Sequence, residues 1–212
     1  MNWQVKYALA NLSEEMRSTA EHVGGDVIRI MTRNRPDVLA AITAAETVNR
    51  EMAAQYREQT EELDFLCGYR KECIWEGEAI RYLEDNHIGW GSFGTLGSAV
   101  LDGNANTAPH KTYKFSDRLL RQYGRIVKID REFDRVHHVT LRTGAEFRIG
   151  MIAAYEPTAD EVRSLWKRFG AVDIAWNINP NGTPTPEAVA AGRELGCEVM
   201  KWDELKALLG KN

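Results

Sequence analysis

The sequence predicts an α/β protein in which a helical N-terminal part is followed by a mixed sheet with covering helices. Two observations in the last third of the chain favour this class. Between residues 144 and 209, apolar residues alternate at strand spacing and recur at helical spacing, in the order strand, helix, strand, helix, strand. The changes of spacing fall at capping, turn or helix-ending residues. A strand–helix–strand unit of this length requires a parallel crossover connection.

Helical spacing dominates the first half of the chain, so we interpret residues 1–110 as a mainly helical part with one strand and a Gly-rich loop. Its predicted elements are a helix over 3–23, a strand over Asp26–Arg33, helices over 35–63 and 70–84, and a mobile loop or linker over Gly89–Pro109. No repeat with a period of 20–50 residues is visible.

The predicted helix 35–63 carries an approximate heptad of apolar residues, interrupted by Asn49 and Thr60. Such a stripe forms a homodimer seam in some proteins and packs against its own domain in others. Both interpretations remain open from the sequence.

Residues 111–212 are interpreted as an α/β sheet domain, either separate from the first part or continuous with it. The predicted elements are a helix over 116–123, strands over 125–133, 136–142 and 146–153, a helix that Gly170 ends, a strand over Val172–Ile178, and two further helices around a short strand. Thr158 and Glu161 form a capping box, and Thr185-Pro186 provides a cap followed by Pro at the first helical position.

Positive charge is concentrated in one segment of an acidic chain. The net charge is −4, but residues 111–148 contain ten Lys/Arg and only five Asp/Glu. A basic segment can bind phosphate groups of DNA, RNA or a nucleotide, and it can also be a solvated surface. The candidate phosphate-binding residues are Lys111, Lys114, Arg118, Arg121, Arg125 and Lys128.

Other features restrict the cellular context. No apolar stretch approaches the length of a membrane span, so no membrane association is expected. Three cysteines without a CxxC pair are typical of a reducing compartment, which predicts a cytoplasmic protein. The absence of HExxH, GxSxG and GxxxxGK[ST] patterns argues against zincin proteases, serine hydrolases and P-loop enzymes.

A literal GxGxxG occurs at Gly89–Gly94. Such glycines bind a dinucleotide only when they lie between a strand and a helix. The preceding residues read as helical, so the alternatives are a phosphate-contacting loop in which Trp90 stacks on a base, or a loop whose aromatic residues pack into the core.

Acidic residues lie beside the basic ones. Asp130, Glu132 and Asp134 alternate along one predicted strand and are expected on one face, and Glu146 and Arg148 share a face of a following strand. If these strands pair, Asp130, Asp134 and Glu146 are candidate ligands of a Mg²⁺ ion, because Mg²⁺ prefers oxygen ligands. A solvent-facing strand with ion pairs is the alternative.

The element order from Arg125 to Leu209 resembles the restriction-endonuclease-like superfamily, in particular its Mrr-type members. The resemblance implies Mg²⁺-dependent phosphodiester cleavage, with an acid on one strand and E-x-K on the next. Asp134 or Asp130 would fill the first role, and Glu146-Phe147-Arg148 stands at E-x-K. Arg148 replaces the lysine there, and a guanidinium cannot act as a base, although it can stabilise negative charge.

Three functions therefore remain open. The first is a Mg²⁺-dependent nuclease with Asp134, Glu146 and Arg148 as catalytic residues. The second is a non-catalytic binder of nucleic acid or nucleotide that uses the basic segment. The third is an interaction protein that assembles through the helix 35–63.

Overall fold

The protein has the mixed α/β fold that the sequence predicts. A computed structural model describes residues 1–15 and 18–211, without the side chains of 13–15. The chain forms two compact units, Met1–Lys111 and Thr112–Asn212. Each unit contains its own five-stranded sheet.

The first unit contains a sheet with the strand order β1-β2-β3-β5-β7. Strands β1 to β3 are antiparallel, whereas β3, β5 and β7 are parallel, and the short strands β4 and β6 pair separately. Its elements are α1 (Trp3–Glu15), β1 (Ser18–Gly24), β2 (Val27–Thr32), β3 (Val38–Thr43), β4 (Thr47–Val48), α2 (Arg50–Gln59), β5 (Phe65–Gly68), β6 (Ile74–Trp75), α3 (Gly77–Asp85), β7 (Gly89–Ser92), α4 (Phe93–Asp102) and a 3₁₀ helix (Ala105–Thr107).

Both faces of this sheet are covered by apolar side chains, which is typical of strands in a parallel arrangement. One face packs against α1 and α4, and its buried residues include Val5, Leu12, Ile28, Ile30, Ile42, Phe65 and Leu96. The other face packs against α2 and α3, and its buried residues include Ala41, Ala53, Leu66, Trp75, Ile80, Leu83 and Trp90.

The second unit has the strand order β12-β11-β10-β9-β8, with β8 to β10 antiparallel and β10 to β12 parallel. The predicted crossover is therefore confirmed. Its elements are α5 (Lys111–Gln122), β8 (Ile126–Phe133), β9 (Val136–Leu141), β10 (Glu146–Ile152), α6 (Ala159–Phe169), β11 (Ile174–Asn177), α7 (Pro186–Leu195), β12 (Glu198–Met200) and α8 (Trp202–Lys211). The predicted capping box at Thr158 and the Thr185-Pro186 helix start are also confirmed.

The predicted long helix over 35–63 is wrong, because this segment forms β3, β4 and α2. Val38–Ile42 is a continuous apolar run, and such a run has no periodicity that separates a buried strand from a buried helix. Asn49, which interrupted the heptad, is the N-cap of α2, and its side chain accepts a hydrogen bond of 2.9 Å from the Met52 N–H. The proposed homodimer through helix 35–63 therefore loses its structural basis.

Three further predictions for the first half require correction. The helix expected over 3–23 ends at Glu15, and the remainder of that segment includes β1. The helix expected from residue 70 begins only at Gly77, after β6. The expected loop over Gly89–Pro109 is instead β7, α4 and the 3₁₀ helix. Gly89 is needed for packing, because a Cβ there would lie 1.8 Å from the Ala105 carbonyl oxygen.

The two units repeat one topology with the same strand register. Equivalent sheet residues are 109 positions apart (149 − 40 = 109). The equivalent rows are Ala40, Phe65 and Gly89 in the first unit and Ile149, Ile174 and Glu198 in the second. The first hairpin of each unit also has a register shift at the same place, between His22 and Gly24 and between Arg131 and Phe133, and the second unit has a further shift between Ile126 and Lys128.

One acidic residue has the same structural role in both units. Asp64 accepts a 2.8 Å hydrogen bond from the Leu39 N–H, and Asp173 accepts one of 2.7 Å from the Arg148 N–H. Each carboxylate thus satisfies a backbone donor at the start of the parallel part of its sheet.

Two equivalent buried positions hold a small and a larger residue in the first unit and the reverse arrangement in the second unit. In the first unit Gly68 faces Cys73, and a Cβ on Gly68 would lie 2.9 Å from the Cys73 sulfur. In the second unit Asn177 and Gly182 occupy these places, and a Cβ on Gly182 would lie 2.2 Å from the Tyr155 carbonyl oxygen and 3.0 Å from Asn177 Nδ2. Complementary volumes at equivalent sites, together with the shared register, define the chain as a tandem structural repeat.

Candidate nucleic-acid interface

The predicted metal ligands Asp134 and Glu146 lie at opposite ends of the β9–β10 hairpin. Glu146 pairs with Thr140, whereas the Met151 N–H donates to the carbonyl of Arg135, next to Asp134. Glu146 and Met151 are five positions apart in β10, roughly 16 Å at about 3.3 Å per residue. Since Mg²⁺ binds its oxygen ligands at about 2.1 Å, one ion cannot contact both carboxylates.

Asp130 does not complete the predicted set of ligands. It lies in β8, and β9 separates it from β10, which places Asp130 about 10 Å from the strand that carries Glu146. The register shift between Arg131 and Phe133 also breaks the alternation along β8. As a result Asp130 is exposed, whereas Asp134 is 1% exposed.

Asp134 and Arg135 form a buried ion pair. Arg135 donates to the two carboxylate oxygens over 3.0 and 2.7 Å, and its guanidinium lies 5.1 Å from the centre of the Tyr113 ring. This pair joins the β8–β9 turn to α5. The contacts indicate a structural role for Asp134.

Arg148 connects three elements of the second unit. Its guanidinium forms a salt bridge of 2.6 Å with Glu132 and donates to the carbonyls of Phe169 and Ala171. Because the carbonyls at a helix C-terminus lack partners within the helix, Arg148 satisfies the end of α6. The equivalent residue of the first unit is Leu39, so this contact is specific to the second unit.

The donor set for the implied Mg²⁺ ion is therefore not assembled. Within residues 1–15 and 18–211, no group of three or more His, Cys, Asp or Glu side chains is placed to hold a metal ion. The acids named by the resemblance do not fit one ion, and we derive no metal-dependent step from them.

A buried polar cluster attaches α5 to the sheet of the second unit. Asp117 of α5 accepts from His137 Nε2 over 3.0 Å and from Arg121 Nε over 2.7 Å, and lies 2.8 Å from Arg131 Nη2. His137 is fully buried, and its Nδ1 has no hydrogen-bond partner in the described part of the chain. The adjacent His138 lies on the other side of β9, where its side chain is 37% exposed.

The charges of this cluster are fixed by its contacts. Burial opposes ionisation of Asp117, but hydrogen bonds from His137 and Arg121 and the charge of Arg131 together hold its pKa well below the usual range. Burial lowers the pKa of His137, and the hydrogen bond to Asp117 offsets this only in part. The imidazole is therefore neutral and donates from Nε2. The cluster holds α5 in one orientation on the sheet.

The opposite side of α5 is exposed and basic. Lys114, Phe115 and Arg118 lie on this side, whereas Tyr113, Ser116 and Leu120 face the core. Phe115 is 59% exposed, and neither Lys114 nor Arg118 forms an ion pair with a described residue. We call Lys114, Phe115 and Arg118 the α5 surface. Phe115 was not among the predicted site residues, although an aromatic residue between cations at helical spacing is visible in the sequence.

The remaining predicted phosphate-binding residues are in other environments. Lys111 belongs to the first unit, and its Nζ would lie 3.2 Å from a Cβ on Gly94. Arg121 is engaged by Asp117. Arg125 and Lys128 are exposed before and within β8, an edge strand. Of the six predicted residues, Lys114 and Arg118 are therefore the two that share the outward side of α5 with an exposed aromatic ring.

The Gly89–Gly94 segment comprises β7 and the first two residues of α4, so Gly89 and Gly91 lie within the strand and not in the strand–helix turn that a dinucleotide fingerprint requires. Its glycines have local explanations, since Gly89 packs against Ala105 and Gly91 has a φ of 143°. Trp90 is buried against Trp75 at 5.4 Å, so it is not available to stack on a base. The interpretation of Trp90 as a stacking residue is wrong.

The chain shows no significant match to a protein-family model, a curated protein or a solved structure. None of the helices in the described part of the chain combines the length and the apolar character that crossing a bilayer requires.

Proposed function

We propose that this protein binds single-stranded nucleic acid through the α5 surface and does not cleave it. The observation that carries the proposal is the exposed Phe115 ring, which shares the outward side of α5 with Lys114 and Arg118. An exposed aromatic ring can stack on an unpaired base of any sequence, and the two cations can contact neighbouring phosphates.

The preference for single strands follows from the need for an unstacked base. Phe115 projects from the outward side of a helix, and stacking on it requires a base that is not already stacked in a duplex. Stacking contributes about 1–3 kcal/mol per base, so loss of the ring is expected to weaken binding by about 5- to 150-fold.

Charge also favours the second unit as the binding unit. Residues 112–212 contain 16 Lys/Arg and 14 Asp/Glu, which gives a net charge of +2. Because the whole chain has a net charge of −4, residues 1–111 have a net charge of −6. Cleavage is not part of the proposal, because Asp130, Asp134 and Glu146 lie apart and Arg148 is engaged with Glu132.

The test is fluorescence anisotropy with labelled single-stranded DNA and RNA, and with a duplex of the same sequence, at several salt concentrations. Phe115→Ala is expected to weaken binding of single strands. Tyr155→Ala is the matched control, because Tyr155 is 62% exposed in the same unit but lies outside α5.

Charge is tested with the double variant Lys114→Ala/Arg118→Ala. It is expected to weaken binding and to reduce the slope of log affinity against log salt by about 0.7 for each lost phosphate contact. The control is Lys167→Ala/Lys206→Ala, which removes two exposed lysines from α6 and α8. The proposal is overturned if no nucleic acid binds, or if Phe115→Ala binds as tightly as the wild type.

A further inference from the structure

Four aromatic side chains form a row on the surface of the first unit. Trp3 contacts Tyr69 with ring centres 4.6 Å apart, Tyr69 contacts Tyr7 at 5.4 Å, and Tyr7 contacts Phe93 at 5.8 Å. We call Trp3, Tyr7, Tyr69 and Phe93 the aromatic row. Trp3 is 60% exposed and Tyr7 44% exposed, so a large part of this apolar area faces solvent.

Tyr69 and Phe93 pack against the hydrophobic core, whereas Trp3 and Tyr7 are exposed. Val5, Ala8 and Leu12 of α1 are fully buried against the sheet. Trp3 and Tyr7 are four residues apart and lie on the outward side, where adjacent turns bring their side chains together. Exposed aromatic groupings of this kind mark binding surfaces more often than isolated apolar residues do.

Three separate parts of the unit fix the row. Trp3 and Tyr7 come from α1, Tyr69 follows β5, and Phe93 begins α4. The Tyr69 N–H donates to the Thr43 carbonyl over 2.8 Å, which holds that residue at the end of the parallel strands. The rings therefore meet at edge-to-face angles on a rigid support.

Two lysines lie beside the Tyr7 and Phe93 part of the row. Lys6 is exposed on α1 next to Tyr7. Lys111 Nζ lies against Gly94, the residue after Phe93, and the Lys111 N–H donates to Thr95 Oγ1 over 3.2 Å. Aromatic rings beside ammonium groups are suited to a ligand that combines planar rings with negative charge.

The structural repeat places the row at the position of the α5 surface. The inward residues Val5, Ala8 and Leu12 of α1 correspond to Tyr113, Ser116 and Leu120 of α5, which are 108 positions later (113 − 5 = 108). At the same spacing, Lys6-Tyr7 corresponds to Lys114-Phe115. Both units thus present a lysine followed by an exposed aromatic residue on the outward side of the first helix.

We infer that the aromatic row is a second site at which bases of single-stranded nucleic acid stack. This inference rests on the proposed function, because it assigns the same class of ligand to the first unit. Since that unit is acidic overall, its site contributes through stacking more than through phosphate contacts. Two independent sites per chain are the expected consequence.

The experiment uses the full chain and a short oligothymidylate of about five nucleotides, which is too short to cover an extended site. Trp3 also provides a direct readout, because stacking of a base on an exposed indole quenches its fluorescence. Trp3 is 60% exposed, whereas Trp75, Trp90 and Trp176 are buried and Trp166 and Trp202 are half-buried, so the signal of Trp3 is the difference between the wild type and Trp3→Ala/Tyr7→Ala. Titration calorimetry gives the stoichiometry, and tryptophan fluorescence reports binding at the row.

The wild type is expected to bind two oligonucleotides per chain with partial quenching. Trp3→Ala/Tyr7→Ala is expected to bind one oligonucleotide per chain without that quenching. Phe115→Ala is also expected to bind one oligonucleotide per chain, but with the tryptophan quenching retained. The salt dependence of binding should fall in Lys114→Ala/Arg118→Ala and remain unchanged in Trp3→Ala/Tyr7→Ala. Circular dichroism of each variant verifies the fold.

The outcomes separate the two proposals. If Phe115→Ala abolishes all binding and Trp3→Ala/Tyr7→Ala changes nothing, the second site is overturned and the α5 surface stands. If Trp3→Ala/Tyr7→Ala abolishes all binding and Phe115→Ala changes nothing, the second site stands and the α5 surface is overturned. If the wild type binds no oligonucleotide, both are overturned.

Discussion

Removal of the Asp117 carboxylate tests whether the buried cluster holds α5 on the sheet. In Asp117→Ala, Arg131, whose side chain is 13% exposed, and the fully buried His137 lose their common acceptor. Breaking a buried ion pair costs about 3–5 kcal/mol, and because Asp117 is itself 16% exposed we expect a value of about 3 kcal/mol. This is a large part of the roughly 5–15 kcal/mol that stabilises a domain.

Urea unfolding followed by circular dichroism measures this loss. With a slope of about 2 kcal/mol per molar urea, a loss of 3 kcal/mol lowers the midpoint by about 1.5 M. If the units unfold in separate transitions, only the transition of the second unit shifts.

Arg121→Ala is the matched control for Asp117→Ala. The Arg121 side chain is 50% exposed, so its ion pair with Asp117 contributes about 0–1 kcal/mol and the midpoint falls by less than 0.5 M. Equal shifts in the two variants, or a loss below 1 kcal/mol in Asp117→Ala, would refute the assignment of the cluster as the anchor of α5.

Two other predictions concern stability. The fold lowers the pKa of His137 from its ordinary value of 6.5, so the unfolded chain takes up a proton before the folded chain does. As the pH decreases from about 6.5, the free energy of unfolding should therefore decrease by up to about 1.4 kcal/mol per pH unit. Urea unfolding at several pH values should show a weaker pH dependence of this free energy in His137→Gln and the wild-type dependence in His138→Gln, and equal dependence in the two variants would contradict the prediction. Gly89→Ala should cost about 1–3 kcal/mol or more, since its methyl group meets the Ala105 carbonyl, whereas Gly94→Ala meets only the mobile end of a lysine and should be close to neutral. Thermal unfolding of the two variants checks this, and similar midpoints would be inconsistent with it.

The sequence predicts the second unit well because its element boundaries are encoded locally. Thr158 with Glu161, Gly170 and Thr185 with Pro186 each act within a few residues, and the structure contains the corresponding caps. Local chemistry of this kind does not depend on the tertiary fold.

The first unit was predicted less well because its strands are buried on both faces. Val38–Ile42 lacks an exposed side, so its sequence lacks the alternation of apolar and polar residues that marks a strand. A single asparagine such as Asn49 can be either a polar interruption of a helix or the N-cap of a new one, and the sequence alone does not distinguish the two. The repeat leaves no short periodicity in the sequence, because its period is 109 residues and few equivalent residues are identical.

The candidate site depended on register, which sequence spacing does not determine. One additional residue between Arg131 and Phe133 moves Asp134 into the interior, and the pairing of Glu146 with Thr140 places it at the far end of the hairpin. Basic residues and Phe115 on α5 depended only on helical periodicity, so their exposure could have been predicted from the sequence.

The reversed order of small and larger residues at Gly68–Cys73 and Asn177–Gly182 limits which residues of one half of the chain can replace those of the other half. A recombination event that transferred only asparagine to position 68 would force an amide onto a thiol, and one that transferred only glycine to position 73 would leave a void. Copying one residue at a time between the two halves is therefore expected to destabilise the unit that receives it.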